Sequence, residues 1–95
     1  MEDEEEGELV YRSPSPGRAE YWKDKLGNYH RLNGPAIVFA NGDTSWFKHG
    51  VPHRDDGPAR EWFTRGIEAW YKDGQKYEPS AHELMLWKMK QKKKA

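Results

Sequence analysis

The sequence predicts an all-β domain with a C-terminal helix, an antiparallel sheet of β-hairpin repeats (two full units and one partial) capped by that helix. Three observations predict it. The segment His30-Arg31-Leu32-Asn33-Gly34-Pro35-Ala36 returns 23 residues later as His53-Arg54-Asp55-Asp56-Gly57-Pro58-Ala59. Trp22, Trp46 and Trp70 recur at intervals of 24, each followed within two residues by a lysine. Ser80-Ala81-His82-Glu83 has the Ser-x-x-Glu spacing that opens a helix. A fixed period of this length marks stacked supersecondary units, and such stacks need end caps of different sequence.

Residues 1–18 read as an acidic and Pro/Ser-rich tail without fixed structure. Glu2, Asp3, Glu4, Glu5, Glu6 and Glu8 repel one another, and Ser13-Pro14-Ser15-Pro16-Gly17 has little to bury. Val10 and Tyr11 are the exception, suited to pairing with a sheet edge. The repeat domain takes residues 19–78, with strands expected at 19–23, 36–40, 44–48, 59–64 and 68–72. Asn41-Gly42 between apolar runs is a strong hairpin signal. A two-residue loop there sets Ile37 opposite Trp46. Arg65-Gly66 holds the equivalent place in the next unit. Ala36 to Gly42 is six residues and Ala59 to Gly66 seven, which predicts a bulge in the second hairpin. Gly50 and Gly74, in Lys-x-Gly, suit positive φ at strand ends. Gly34-Pro35 and Gly57-Pro58 suit strand starts, where no ladder donor is needed.

The third unit is truncated: Tyr77-Glu78 stands where His-Arg is due. The capping helix takes 79–92, with Leu84, Met85, Trp87 and Met89 on a broad apolar side, and 93–95 form a basic tail. The lysines at its C-terminal end suit the helix dipole.

Composition narrows the function classes. Net charge is zero, so there is no strong nucleic-acid signal and membrane contact is not expected. There is no cysteine, which removes disulfides and thiolate metal sites and suits a reducing compartment. No apolar run approaches the roughly 20 residues of a membrane span. The expected localisation is cytoplasmic. Aromatics make up 14% of the chain, and these large rings supply most of the core.

His30 and His53, with His49, His82, Asp55 and Asp56, invite a metal reading. Their recurrence at the repeat period favours a structural role, and neither metal nor cofactor is expected. Arg31 and Arg54 offer forks for an anion, but each carries its own turn residue nearby, so an internal bond is favoured. No nucleophile elbow or phosphate loop is present, and no catalytic residue is assigned. The chain is expected not to be an enzyme. Trp22, Trp46 and Trp70 read as core, beside Phe39 and Trp62. Side chains alternate along a strand, so Phe47, Phe63 and Tyr71 fall on the opposite face. They form either an exposed aromatic patch or a face covered by the helix or a loop.

The repeat resembles the membrane-occupation-and-recognition-nexus (MORN) type, in the His-Arg-x-Asp-Gly-Pro-Ala variant common in phage, giant-virus and bacterial proteins. The likeness is close from Trp46 to Ala59, holds from Trp22 to Ala36 with one insertion and Asn33 for Asp, and stops after Gly74. It implies a stacked-hairpin sheet and a non-catalytic binding role, with protein partners, homodimers or acidic lipids as family ligands. The expectation is a small phage-type accessory protein that binds a cellular protein, in the host cytoplasm for a viral chain, and modulates or inhibits it by occlusion. Expected contact residues are Phe47, Phe63, Tyr71 and Trp87, with Arg31, Arg54 and Arg60 at the margin. Two alternatives stand beside it: a binder of a nucleotide signal, and a lipid or nucleic-acid binder acting through Lys92-Lys93-Lys94.

Overall fold

A computed structural model describes residues 5–14, 18–62 and 65–93. In chain order the elements are β1 (Glu8–Arg12), β2 (Glu20–Lys23), β3 (Ile37–Val38), β4 (Thr44–Ser45), β5 (Phe47–Lys48), β6 (Val51–Pro52), β7 (Arg60–Trp62), β8 (Ile67–Ala69), β9 (Tyr71–Lys72), β10 (Gln75–Lys76) and α1 (Ala81–Lys93). Six strands form an antiparallel sheet in the order β1-β2-β3-β4-β7-β8. β5 with β6, and β9 with β10, form two separate small hairpins. The architecture is all-β with a C-terminal helix, as the repeat pattern predicts.

The expected strands at 44–48 and 68–72 are each cut in two at the tryptophan. The cause is a change of hydrogen-bond partner at that residue. Trp46 donates its N–H to the Ala59 carbonyl at 2.6 Å, on the main-sheet side. Its own carbonyl accepts from the His53 N–H at 3.2 Å, on the hairpin side. Trp22 does the same with Ala36 (2.8 Å) and His30 (3.0 Å). The Trp70 carbonyl accepts from the Tyr77 N–H at 3.0 Å. Each tryptophan is thus the corner where the chain leaves the sheet for a hairpin.

The hairpin turns are tight. His49 and Gly50 have φ of 48° and 87°, and Asp73 and Gly74 have 50° and 83°. Two consecutive left-handed residues make type I′ turns, whose twist matches that of the flanking strands. At Asn41-Gly42 the loop differs from the two-residue expectation. Only Gly42 takes positive φ, at 95°. Phe39 donates to the Asp43 carbonyl at 2.8 Å, and Gly42 to the Phe39 carbonyl at 2.9 Å. This closes a three-residue loop of the type I plus bulge class. The register moves by one residue, and Ile37 faces Ser45 instead of Trp46. In the second hairpin Arg60↔Ala69, Glu61↔Glu68 and Trp62↔Ile67 pair without interruption. No bulge interrupts Arg60–Trp62, and the rest of the expected strand, 63–64, lies outside the described residues. A register shift occurs in β1, between Leu9 and Tyr11 opposite β2.

The N-terminal segment departs most from expectation. Residues 8–12, read as part of an unstructured tail, form β1 along the full length of β2. The Tyr11 ring stacks on Tyr21 at 5.2 Å, and Arg12 pairs with Glu20 at 3.1 Å. Backbone atoms of the acidic run are used as well: the Glu6 carbonyl accepts from the Leu32 N–H at 3.0 Å. Charge repulsion among carboxylates does not prevent their backbones from pairing.

The core is small. Ala36, Ala59, Ala69, Trp70 and Trp87 are its buried apolar residues, and His30 and Pro58 are fully buried. Ser80 and Glu83 cap α1 reciprocally: the Ser80 N–H donates to Glu83 Oε1 at 2.9 Å, and the Glu83 N–H to Ser80 Oγ at 3.1 Å. Among the described residues no helix is long and apolar enough to cross a membrane.

Candidate interaction surface

The repeated polar residues build the stack itself. His30 Nδ1 accepts the N–H of His49 at 2.9 Å, and His53 Nδ1 accepts the N–H of Asp73 at 3.0 Å. Each donor is the first left-handed residue of the next unit's turn. The histidine is therefore a joint between one unit and the next. At Tyr77 the joint residue is replaced, and the chain passes into α1.

The arginines fill a second recurrent role. Arg31 lies over the Trp22 ring at 3.7 Å, and Arg54 over Trp46 at 4.0 Å. A Cβ on Gly34 would stand 2.8 Å from Arg31 Cζ, and one on Gly57 2.8 Å from Arg54 Cζ. A side chain on the glycine of Gly-Pro would therefore have to displace the guanidinium, which is sandwiched between an indole and bare backbone. Arg54 also donates to Asp56 Oδ1 at 2.9 Å and to the Pro58 carbonyl at 3.2 Å. In the first unit Asn33 replaces that aspartate and donates its amide to Glu6 Oε1 at 2.6 Å. Arg31 Nε is left buried without a partner.

Asp24 ties the first loop to the second turn. Its carboxylate accepts His49 Nδ1 at 2.7 Å and the backbone N–H groups of Leu26 and Asn28. The His49 bond, with those N–H donors, holds this carboxyl well below the usual aspartate range. A depressed acid stabilises the fold above its unfolded value of about 4 and loses that contribution as pH falls through the folded one. Asp24→Asn is therefore expected to melt lower than the native chain at pH 6. The gap should narrow steadily as pH drops below about 4. Parallel melting curves measured by circular dichroism at pH 6 and pH 3 would show that Asp24 carries no such linkage.

The third tryptophan is treated differently. Trp70 meets Tyr77 edge-on at 6.2 Å and Trp87 of α1 edge-on at 6.1 Å. Trp87 also closes on the second unit, because a Cβ on Gly57 would lie 2.9 Å from its Cδ1. The helix thus covers the last unit where another repeat would otherwise stack.

The residues expected to touch a partner are dispersed by this arrangement. Trp87 is 5% exposed and belongs to the core. Arg31 and Arg54 are internal braces and do not form a free margin. Phe47 ends a file of mutually packed rings, Tyr11–Tyr21–Tyr29–Phe47, with successive centroids 5.2, 6.1 and 5.9 Å apart. Tyr71 lies under Arg60 at 5.3 Å, and all three of Phe47, Tyr71 and Arg60 are half-buried. Phe63 lies outside the described residues. Of the expected patch, Phe47 is thus partly covered by Tyr29 and Tyr71 by Arg60.

Val10, Tyr11, Leu26, Phe39, Val51 and Ile67 are exposed one or two at a time along the sheet and loops, and three more exposed apolar side chains stand together on α1. Met85, Leu86 and Met89 are 51%, 47% and 51% exposed. They share a face because residues three and four apart are neighbours on a helix. The sequence signal was present: α1 carries more apolar residues than one buried stripe needs. Beside them, between α1 and the second-unit turn, lies a cleft of about 360 Å³. The chain matches no family model, and no curated protein or solved structure shows significant similarity to it.

Proposed function

We propose that this chain is a non-catalytic protein-binding module of MORN-like type, an accessory protein that docks on a target through the outer face of α1 and occludes it. One observation carries the reading. Met85, Leu86 and Met89, three large apolar side chains about half exposed, stand together on the cap helix. Soluble chains rarely leave such a group uncovered without a partner for it. The polar motif supports the same reading, because its histidines and arginines are engaged in joints and sandwiches. Lys88 and Lys90 flank the apolar face and are exposed. The complementary surface is thus an apolar groove with an acidic rim on a partner protein.

The test is capture from lysate of the source organism with native chain and with Leu86→Asp/Met89→Asp. Both side chains are about half exposed, so the variant should keep its native circular dichroism and melt cooperatively, a few degrees lower. The doubly substituted chain is expected to lose the captured protein at both low and high salt. Retention of the same protein by the folded double variant would remove α1 as the docking face.

A further inference from the structure

We infer that the second unit carries a site for a short extended peptide segment of a partner, with glycine at its third position and no acidic side chain at its second. The first unit supplies the template, because the chain's own N-terminal segment fills the matching place there.

Three bonds and one close approach define that template. His30 accepts the His49 N–H on Nδ1 and donates its Nε2 proton to the Glu5 carbonyl. The Leu32 N–H donates to the Glu6 carbonyl at 3.0 Å, and the Asn33 amide to Glu6 Oε1 at 2.6 Å. Gly7 has φ of 103°, and a Cβ there would collide with the His30 carbonyl oxygen. An extended stretch of three residues is thus held by two backbone carbonyls, one side chain and a position shaped for glycine.

His53, Asp55 and Asp56 stand in the second motif where His30, Leu32 and Asn33 stand in the first. They line a cleft of about 450 Å³ whose opposite wall is Arg31, Leu32 and Asn33. The cleft exists because the loop into β3 takes another course from the N-terminal segment. A Cβ on Gly34 would meet the guanidinium of Arg31, whereas one on Gly7 meets the backbone of His30. The loop packs on its own arginine and does not cross His53. Beyond the place of Gly7 the template ends, since β3 lies on β4 as β1 lies on β2. The ligand is therefore a short stretch and not an added strand.

The two donors are in place. His53 Nδ1 accepts the Asp73 N–H at 3.0 Å, which leaves the ring proton on Nε2, as in His30. That proton faces Asp55 Oδ1 at 3.2 Å, on a side chain 81% exposed. So exposed a partner is held weakly, and a peptide carbonyl can replace it. Among the described residues no backbone carbonyl accepts from the Asp55 N–H. Selectivity comes from Asp56. Asn33 donates to the Glu6 carboxylate, but Asp56 accepts from Arg54 at 2.9 Å and Lys90 at 3.2 Å and has no proton to give. A glutamate in the place of Glu6 would face a carboxylate, and a neutral side chain avoids that. Neither Leu86 nor Met89 lines this cleft, so the site stands or falls apart from the docking face.

The probe is the capped tetrapeptide acetyl-Ala-Gln-Gly-Ala-amide, titrated into the full chain while backbone amides and histidine rings are followed by NMR. Saturable shifts are expected at the Asp55 amide and the His53 ring. Glutamate in place of glutamine should weaken binding about threefold. Alanine in place of glycine should weaken it at least about fivefold. Asp55→Ala removes the resident acceptor but keeps the N–H, and should tighten binding about threefold. His53→Asn keeps an acceptor for the Asp73 N–H but loses the outer donor, and should weaken binding about fivefold. No saturable shift at these two residues, equal binding of the three peptides, or indifference to both substitutions in the chain would overturn the inference. Shifts centred on His30 and Leu32 would also overturn it, because the peptide would then be displacing the N-terminal segment from the first unit.

Discussion

Trp87→Ala is expected to destabilise the domain by about 3 kcal/mol or more, the usual cost of emptying a large aromatic site. In a domain of this length that corresponds to a fall in Tm of about 12 °C or more. The position makes the loss unusually broad. Trp87 touches Trp70 in the last unit and the Gly57 backbone in the unit before it. Few other apolar residues are buried, so no neighbouring side chain is placed to take over. Trp87→Phe should recover much of the loss, because a smaller ring still covers Trp70. Amide exchange is the sharper measurement. Protection should fall first at Tyr77 and Arg54, whose N–H groups bond the Trp70 and Tyr71 carbonyls. β1 and β2 should respond last. A Tm shift below about 4 °C, the equivalent of 1 kcal/mol or less, would show that α1 is not part of the core.

The same residue shows where sequence reading stops. Trp87 was legible as an apolar position on a helix, and the helix itself was legible from its capping box. Which part of the broad apolar side of α1 turns inward depends on what it meets. It meets Trp70 and Gly57, and that pairing has no local signature. The cut strands at Trp46 and Trp70 were hidden for a related reason. Local propensity continues through Trp46-Phe47, and only the remote carbonyl of Ala59 and the N–H of His53 divide the segment between two sheets. At Asn41-Gly42 the hairpin was legible but its length was not, since one residue in the left-handed region gives a three-residue loop where two would give a tight turn. The intra-unit use of Arg54 was more accessible, because Asp56 sits two residues on within the same motif. The indole beneath the guanidinium, eight residues earlier, was not inferred. The spacing from tryptophan to arginine to glycine, repeated twice, was the available signal.

His30 provides the most demanding test of the joint between units. It is completely buried, and Nδ1 accepts the His49 N–H at 2.9 Å. With Nδ1 accepting, the ring proton sits on Nε2 and is donated to the Glu5 carbonyl at 2.5 Å. The ring also stacks on His49 at 4.0 Å. One imidazole thus joins the first unit to the second and ties the N-terminal segment to both. His30→Phe keeps a ring in place but leaves two backbone groups unpaired, each costing about 1–3 kcal/mol when buried. A loss of about 2 kcal/mol or more is expected in denaturant unfolding. His53 makes the equivalent bond to Asp73 at 3.0 Å, but its side chain is 14% exposed and its Nε2 faces the exposed Asp55 at 3.2 Å. Water can take over those partners, so His53→Phe should cost about 1 kcal/mol. The variants should also differ in place. Amide exchange should accelerate at Leu32 and along β1 in His30→Phe alone, because His30, unlike His53, bonds the segment that carries Glu5 and Glu6. Equal losses, or unchanged exchange in β1, would mean that strand pairing with β2 holds the N-terminal segment without the histidine. The buried imidazole would then serve only the joint to the second unit.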